Sequence, residues 1–307
     1  MITIVNLNPC VDWQYNIPVF VHGGTNRVRR TYQGAASKGM NVAVALKNLG
    51  IIPSCIGFNF VDGGEKTTEK FDSLNIPHDF ETVEGNLRVN IKVFEESTGI
   101  MTELNQPGDF VAEKYVKNLE NKVAKLSDKD GILVLTGSLP AGAPTTIYAT
   151  LAKLWTGKVI LDADGDTLRN TILANVPIYA AKPNLSELEN AFGVKLSSKK
   201  DVVEFCRRKL QNVKYVCVSM GADGALLVTQ DTDYFCPALK LEVKGIQGAG
   251  DSMVAGLIYG MRSGLPPQGL LCCAMAAAAA SIIKEGTEMC LRTDFDLFKN
   301  NFSNSFN

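Results

Sequence analysis

Short apolar runs alternate with amphipathic segments along most of the chain. The apolar runs predict strands at Ile2–Leu7, Ile52–Phe58, Ile132–Thr136, Val159–Asp162, Tyr215–Ser219 and Ala225–Thr229. Apolar positions spaced by three and four residues predict helices at Asn41–Leu49, Glu65–Leu74, Val111–Leu126, Thr145–Trp155, Leu185–Phe192 and Val202–Leu210. Because runs such as GILVLTG lack alternation, both faces of these strands are expected to be buried in a parallel sheet. The pattern therefore predicts an α/β fold with helices on both faces of one sheet and ligands at the carboxyl ends of its strands.

Two segments, approximately 12–33 and 86–105, break this alternation. They contain strand-like stretches such as WQYNIPV and RVNIKVF with no helix between them. We expect these stretches to form a small sheet outside the main core, lying as a lid over the carboxyl ends of the strands. The alternative is a pair of hairpins at the edge of the main sheet. No internal repeat or long linker interrupts the chain, so residues 1–307 are expected to form one domain.

The most informative stretch is GIQGAGDSMVAGLIYGMRSG, at residues 245–264. Its apolar spacing predicts a helix from about Gly250, and the glycine-rich turn before it leaves free backbone N–H groups at the positive end of that helix. Such an end attracts phosphate. Asp251 stands beside this anion site, although it could also be an ordinary helix-capping residue, and the glycines could form only a tight turn. A dinucleotide-binding fingerprint is excluded because its third glycine would fall at Met253.

Three other loops carry candidate polar groups. Asp12 follows a proline turn after the first strand, where it could accept sugar hydroxyls or simply belong to the turn. The stretch GAASKGMN has the glycine spacing of a P-loop, but Met40 and Asn41 stand where that motif needs Lys and Ser or Thr. A flexible loop remains, with the cation Lys38 and the hydrogen-bonding amide of Asn41. Ser138 lies in a further small-residue turn, at the carboxyl end of the strand Ile132–Thr136.

Three further segments have both functional and structural interpretations. Arg88 and Asn90 share one face of a lid-like strand, because side chains alternate along a strand. Asn184 and Glu187 fit a helix capping box, which explains them without any ligand. The segment SMGADG at 219–224 joins two strands through glycines, as a plain hairpin turn would.

Composition narrows the class of protein. Of 307 residues, 46% are apolar and 21% are charged, as in ordinary soluble domains, and a net charge of −1 gives no indication of a nucleic-acid or membrane partner. The longest apolar run, 270–283, is too short to cross a bilayer comfortably and predicts a buried helix. The eight cysteines form no C-x-x-C pair, which indicates buried thiols and a cytoplasmic protein.

Taken in order, these segments resemble the ribokinase-like, phosphofructokinase-B-type carbohydrate kinases over nearly the whole chain, from NLNPCVD to GAGDSMVAG. Within that family the pattern is most similar to 1-phosphofructokinases and tagatose-6-phosphate kinases. The resemblance implies a Rossmann-type three-layer α/β core with a small β-sheet lid that often pairs with a second lid in a homodimer. It also implies ATP and Mg²⁺ as cofactors and a sugar phosphate as substrate.

The resemblance also implies a role for each matching residue. Asp251 would be the catalytic base and the backbone amides of Gly248, Ala249 and Gly250 its anion hole. The substrate-binding set would be Asp12, Gly39, Asn41, Arg88, Lys38 and Arg27, the last three for the phosphate that the sugar already carries; the neighbouring Asn90 and Ser138 join this set. Asn184 and Glu187 would organise Mg²⁺, mostly through water. The nucleotide site would be lined by Lys182, Ser219, Gly221 and Gly224, with Asn184 beside them.

Three positions depart from the family pattern. The usual GGKGxN is here ASKGMN, so Ala36 and Ser37 replace both leading glycines. Gln247 stands before GAGD where a small or β-branched residue is usual, and Leu87 precedes Arg88 where Thr is common. None of these changes removes a catalytic group, and all three concern the identity of the sugar.

Two other functions remain open. A sister kinase would act on an unphosphorylated sugar or nucleoside, and the cations at 27, 38 and 88 argue against it. A non-catalytic sugar-sensing protein on the same fold would have no need for an acid beside its anion site, so Asp251 argues against that alternative.

Overall fold

A computed structural model describes residues 1–284, 286 and 288–304 of the chain. The strands, numbered along the chain, are β1 (Ile2–Asn6), β2 (Cys10–Ile17), β3 (Arg30–Ala36), β4 (Ser54–Asp62), β5 (His78–Asn86), β6 (Arg88–Glu95), β7 (Ile100–Asn105), β8 (Ile132–Thr136), β9 (Lys158–Asp162), β10 (Ile178–Ala181), β11 (Val213–Ser219), β12 (Ala225–Val228) and β13 (Asp233–Cys236). The helices are α1 (Lys38–Asn48), α2 (Glu65–Ser73), α3 (Glu113–Leu126), α4 (Ile147–Leu154), α5 (Gly165–Leu173), α6 (Leu185–Phe192), α7 (Lys199–Lys209), α8 (Ala249–Arg262), α9 (Pro267–Ile282) and α10 (Arg292–Asn304).

The main sheet has the strand order β13-β12-β11-β10-β9-β8-β1-β4-β5. Its strands are parallel from β5 to β11, and β12 and β13 are antiparallel additions at one edge. One apolar cluster lies on the face covered by α1, α8 and α9, and a second lies on the face covered by α3 to α7. This is the predicted three-layer α/β fold, and the six strands and six helices that the periodicity predicts are all present, with ends shifted by a few residues.

A second, separate sheet has the order β3-β2-β6-β7 and takes strands from both segments that break the alternation. Strand β2 pairs in parallel with β6, so that Asp12 lies opposite Asn90. The alternative of edge hairpins on the main sheet is therefore wrong. We refer to β2, β3, β6 and β7 as the lid sheet.

Helix α8 crosses the centre of the molecule against α1 and α9, and nearly all of it is buried. A Cβ atom at Gly256 would lie 2.3 Å from the carbonyl oxygen of Cys273, so only glycine allows α8 and α9 to pack this closely. The helix that carries Asp251 is thus fixed by its whole length rather than by its first turn alone.

The described residues contain no helix that is both long enough and apolar enough to cross a bilayer. The predicted apolar helix at 270–283 is α9, which packs in the core. All eight cysteines are buried free thiols.

Candidate active site

The carboxyl ends of β9 and β10 meet the N-termini of α1, α6 and α8 at one place. Side chains from these elements join there: Asn41 of α1 donates to Asp251 of α8 at 2.7 Å. Lys38 of α1 lies 3.7 Å from both Asp162 at the end of β9 and Glu187 of α6. The fold therefore assembles charged groups from distant parts of the chain at the edge of the sheet where ligands bind in α/β proteins.

The start of α8 forms an anion-binding loop. Gly248 caps the helix with φ of 72°, a left-handed backbone conformation that favours glycine. The Ala249 N–H lies 3.4 Å from the backbone oxygen of Ile246, whereas the N–H groups of Gly250 and Asp251 have no acceptors within the helix. A Cβ at Gly250 would lie 3.3 Å from the Nζ atom of Lys182, which places a buried ammonium group beside these amides. Free N–H groups and a cation together suit a phosphate.

Asp251 is a buried carboxylate, with 6% of its surface exposed. Burial and the nearby charge of Asp162 raise the pKa of Asp251 to about 6, while Lys38, the hydrogen bond from Asn41 and Lys182 act in the opposite direction. A carboxylate with this pKa is ionised at neutral pH and is a stronger proton acceptor than an ordinary aspartate.

Asp162 is the other buried carboxylate of the site, and no sequence motif marks it. Its side chain lies 3.1 Å from Lys182 Nζ and accepts a hydrogen bond from Thr136 at 3.0 Å. Burial alone would raise the pKa of Asp162, but Lys182 and Lys38 outweigh that effect and hold the pKa below its ordinary value. Burial lowers the pKa of the Lys182 ammonium, but the charge of Asp162 outweighs this effect, so the pKa of Lys182 lies above its ordinary value. Both groups are therefore charged in the folded protein.

Lys38 faces carboxylates and not the lid cation Arg88. Asp162 raises the pKa of the Lys38 ammonium above its ordinary value, against the effect of burial, and Glu187, Asp251 and Asp164 add to the shift. Of the predicted phosphate-binding cations Arg27, Lys38 and Arg88, Lys38 is the one that pairs with Asp162 and Glu187. Lys38 lies beside the capping box, in which the Asn184 N–H donates to the Glu187 carboxylate at 2.8 Å and the Glu187 N–H donates to the Asn184 side-chain oxygen at 2.7 Å.

On the lid sheet, polar side chains surround Asp12. Asn90, which is buried, donates to Asp12 at 3.1 Å, and Lys92 forms an ion pair with the other carboxylate oxygen. Arg88 donates to the backbone oxygens of Asn8 and Gln106 at 3.0 and 2.9 Å and lies 3.3 Å from Asn90 Oδ1. Arg88, Asn90 and Asp12 thus lie together on the lid sheet, and Lys92, which no sequence motif marks, joins them.

The other predicted substrate-binding residues are Gly39, Ser138 and Arg27. Gly39 packs so closely on Asn6 that a Cβ would come within 2.9 Å of it. Ser138 is exposed and accepts a hydrogen bond from Asn8 at 3.2 Å. Arg27 is exposed in the segment between β2 and β3, where no hydrogen bond or ion pair to the described residues fixes its side chain.

The predicted nucleotide-binding residues lie at the end of β11. Ser219 is the last residue of that strand and bridges to Asn184, which places it beside the start of α6. Gly221 and Gly224 form the following turn with φ of 58° and 112°. A Cβ at Gly224 would lie 2.1 Å from the oxygen of Cys236, so the turn must pack against β13 without a side chain.

Comparison with known proteins decides between the sequence interpretations. A family model described as "pfkB family carbohydrate kinase" matches residues 2–294. The chain belongs to the pfkB family of carbohydrate kinases. The recognition from the sequence motifs is therefore confirmed, as are the fold class and the kinase prediction.

Several relatives of this pfkB kinase are 1-phosphofructokinases. The enzyme of Bacillus subtilis is 32% identical over 294 residues, covering 94% of this chain and 95% of that protein. The enzyme of Escherichia coli K12 is 32% identical over 286 residues, covering 92% of this chain and 90% of that protein. Among solved structures, phosphofructokinase-2 from Escherichia coli in complex with potassium superposes with a TM-score of 0.90 at 25% identity, covering 98% of this chain and 99% of that chain.

The three departures from the pfkB pattern have structural explanations. Ser37 is the N-cap of α1, and its hydroxyl accepts from the Met40 amide at 3.1 Å. Leu87 is buried in the core cluster on the α3–α7 face. Gln247 contacts the lid sheet, where it accepts from Lys92 at 3.1 Å and donates to Glu103 at 3.2 Å.

The site is compatible with a magnesium ion that keeps most of its waters. Among the described residues there is no group of three or more His, Cys, Asp or Glu side chains that could enclose a metal. Glu187 keeps one carboxylate oxygen that is engaged only by Lys38 at 3.7 Å, and the same ammonium lies 3.7 Å from Asp162. One or two carboxylates, water and substrate phosphates are the usual ligands of Mg²⁺.

Proposed function

We propose that this kinase transfers a phosphoryl group from ATP to a ketohexose phosphate, with fructose 1-phosphate as the first candidate and fructose 1,6-bisphosphate as its product. Tagatose 6-phosphate is the second candidate and fructose 6-phosphate the third. The observation that carries the proposal is the buried Asp251 in the first turn of α8, directly after Gly250, which lies against the ammonium of Lys182. The similarity to 1-phosphofructokinases supports this choice of sugar.

The residues present account for the chemistry. As a sugar hydroxyl attacks the terminal phosphorus of ATP, Asp251 accepts its proton and ADP leaves. The amides of Ala249 and Gly250, with Lys182 next to them, face the charge on the transferred group, which is the main requirement of phosphoryl transfer. Asp12 and Asn41 hold the sugar hydroxyls, and the turn at Ser219 to Gly224 receives the nucleotide. Mg²⁺, when bound near Glu187 and Asn184, would neutralise phosphate charge.

A non-catalytic sugar-sensing protein is the alternative from another class. A carboxylate whose pKa is raised to about 6 by burial and by a neighbouring acid is a cost to the fold that sugar binding alone does not require. We therefore favour the enzyme.

Arg88→Ala tests the phosphate-binding part of the proposal. Arg88 places a planar guanidinium on the lid sheet, where it is proposed to bind the phosphate of the substrate. Because a charge-assisted hydrogen bond is worth about 1.5–3 kcal/mol, its loss should lower kcat/KM for fructose 1-phosphate roughly 10–100-fold. Turnover of free fructose, measured by ADP release, should change much less. The control is Arg29→Ala, which removes an exposed lid arginine paired with Glu96. Equal losses for phosphorylated and free sugar would refute the role of Arg88.

Glu187→Gln tests the metal site. We expect activity to require Mg²⁺ or Mn²⁺ and the half-saturating metal concentration to rise in the variant, because a carboxylate ligand becomes a neutral amide. The amide can still accept from the Asn184 backbone, so the capping box and the fold should persist. Full activity of the wild type in excess EDTA would contradict the proposal.

The lid sheet is proposed to join two copies of the chain in a homodimer. Large apolar side chains are exposed on it, including Tyr32, Ile100 and Leu104, and such surfaces are usually covered. Sedimentation at micromolar concentration should show a dimer, and Leu104→Glu should give a monomer. Leu173→Glu, which changes an equally exposed leucine on α5, should remain dimeric. A monomeric wild type with full activity would refute the proposal.

A further inference from the structure

A buried lysine of the lid sheet touches both the sugar side and the phosphoryl side of the site. Lys92 is only 8% exposed, and its side chain lies on the same face of β6 as Arg88 and Asn90. Its ammonium forms an ion pair with Asp12 and donates to the side-chain oxygen of Gln247 at 3.1 Å. A lysine buried to this extent needs both partners, because an unpaired buried charge is strongly unfavourable.

Gln247 is suited to join the lid sheet to the anion-binding loop. Its amide can satisfy both neighbours in only one orientation, with the oxygen toward Lys92 and the nitrogen toward Glu103 of β7. Gln247 directly precedes Gly248, whose left-handed backbone aims the first amides of α8. A small residue at 247 could make neither contact. The two lid strands β6 and β7 are therefore both fixed to the residue from which the loop begins.

We propose that Lys92 is a positioning residue that holds Asp12 for the sugar and, through Gln247, links occupation of the sugar site to the geometry of the anion-binding loop. This inference rests on the function proposed above. One carboxylate oxygen of Asp12 accepts a hydrogen bond from Asn90, and the other pairs with the Lys92 ammonium. The carboxylate is therefore held in one orientation, and its remaining acceptor positions have fixed directions. A sugar that displaces or strengthens the contact between Asp12 and Lys92 also changes the contact between Lys92 and Gln247, because one ammonium serves both.

The test compares the wild type with Lys92→Met, Gln247→Met and the double variant, using steady-state kinetics for fructose 1-phosphate and ATP. Lys92→Met should raise the KM for the sugar about 10–100-fold and leave the KM for ATP within about threefold, because Asp12 loses a charged partner. Gln247→Met should lower kcat about 3–10-fold with little change in the KM for the sugar, because Lys92 still holds Asp12. Lys92→Met should also lower kcat by a similar factor, because it removes the same contact with Gln247, and the kcat of the double variant should be no lower than that of Lys92→Met.

The matched control is Arg29→Met, which removes an exposed lid cation that contacts neither Asp12 nor Gln247, and it should behave as the wild type. The inference is overturned if Lys92→Met leaves the KM for the sugar within about twofold, if the effects on kcat multiply independently, or if Arg29→Met reproduces them. Should Lys92→Met fail to fold, the partly exposed Gln247→Met decides the question by its separate effects on kcat and KM. A wild type that phosphorylates no sugar phosphate would instead refute the proposed function, and the two failures are thus distinguishable.

Discussion

Asp251→Asn is expected to lower kcat by about 10²–10⁴-fold, the usual contribution of a well-placed general base. The substitution keeps the size of the side chain and its hydrogen bond with Asn41 but removes the ability to accept a proton. The KM for ATP should change little. The control is Asp231→Asn, in the exposed turn between β12 and β13. Turnover of Asp251→Asn within a few-fold of the wild type would show that Asp251 is not the base.

The same variant should be more stable than the wild type at neutral pH. The folded pKa of Asp251, about 6, lies above the ordinary aspartate value of 3.8. The folded state therefore binds the proton more tightly, and stability is lost as pH rises from about 4 through 6. A neutral amide avoids this loss, so Asp251→Asn should gain about 1–3 kcal/mol at pH 7 and little at pH 4. Urea unfolding at both pH values measures the difference. Equal or lower stability at pH 7 would contradict the assigned pKa.

The pH dependence of the wild type follows from the same value. A base must be ionised to act, so kcat/KM should rise with pH up to about 6 and then level off. In Asp251→Asn, the residual activity should lose this inflection.

Asp162→Asn is expected to destabilise the fold by about 3–5 kcal/mol, because it leaves the buried ammonium of Lys182 without its charged partner. Asp162 has a pKa below its ordinary value, so its contribution is present above about pH 4 and is lost as pH falls through the folded pKa. The difference between variant and wild type should accordingly shrink in acid. Urea unfolding at pH 7 and at pH 3 makes the comparison.

The neighbouring variant Asp166→Asn is the control for Asp162→Asn. Asp166 is an exposed carboxylate in the first turn of α5, and its loss should cost less than about 1 kcal/mol. If the two variants are equally stable, the pair of Asp162 and Lys182 does not support the fold as described. Asp162→Asn should also lose activity, because Lys182 lies beside Gly250.

The core of the fold could be predicted because buried parallel strands and their covering helices have strong apolar patterns. The sequence reasoning missed β5 and β13, which are short or polar strands near the sheet edges, with few buried positions. Helix α5 was missed because Thr167 and Thr171 take buried positions on the face that apolar residues usually mark. Helix α10 had a visible signal, since Phe295, Phe298 and Phe302 are buried at helical spacing.

The candidate site could be predicted only in part, for a different reason. Backbone motifs such as the loop before α8 are readable as sequence, but the direction of a long flexible side chain depends on the folded surroundings. Lys38 therefore turned out to face Asp162 and Glu187. A single aspartate at a strand end is common, so nothing distinguished Asp162. Lys92 could have been found, because it continues the alternation of Arg88 and Asn90 on the same face of β6.

The specificity of the wild type tests the central claim most directly. ADP release should be measured with fructose 1-phosphate, tagatose 6-phosphate, fructose 6-phosphate, free fructose, ribose and adenosine. We predict that kcat/KM follows the order given for the three sugar phosphates and exceeds that for every neutral acceptor by about 100-fold or more, as two charge-assisted contacts to a phosphate would give. A neutral sugar or nucleoside with the highest kcat/KM would contradict the account.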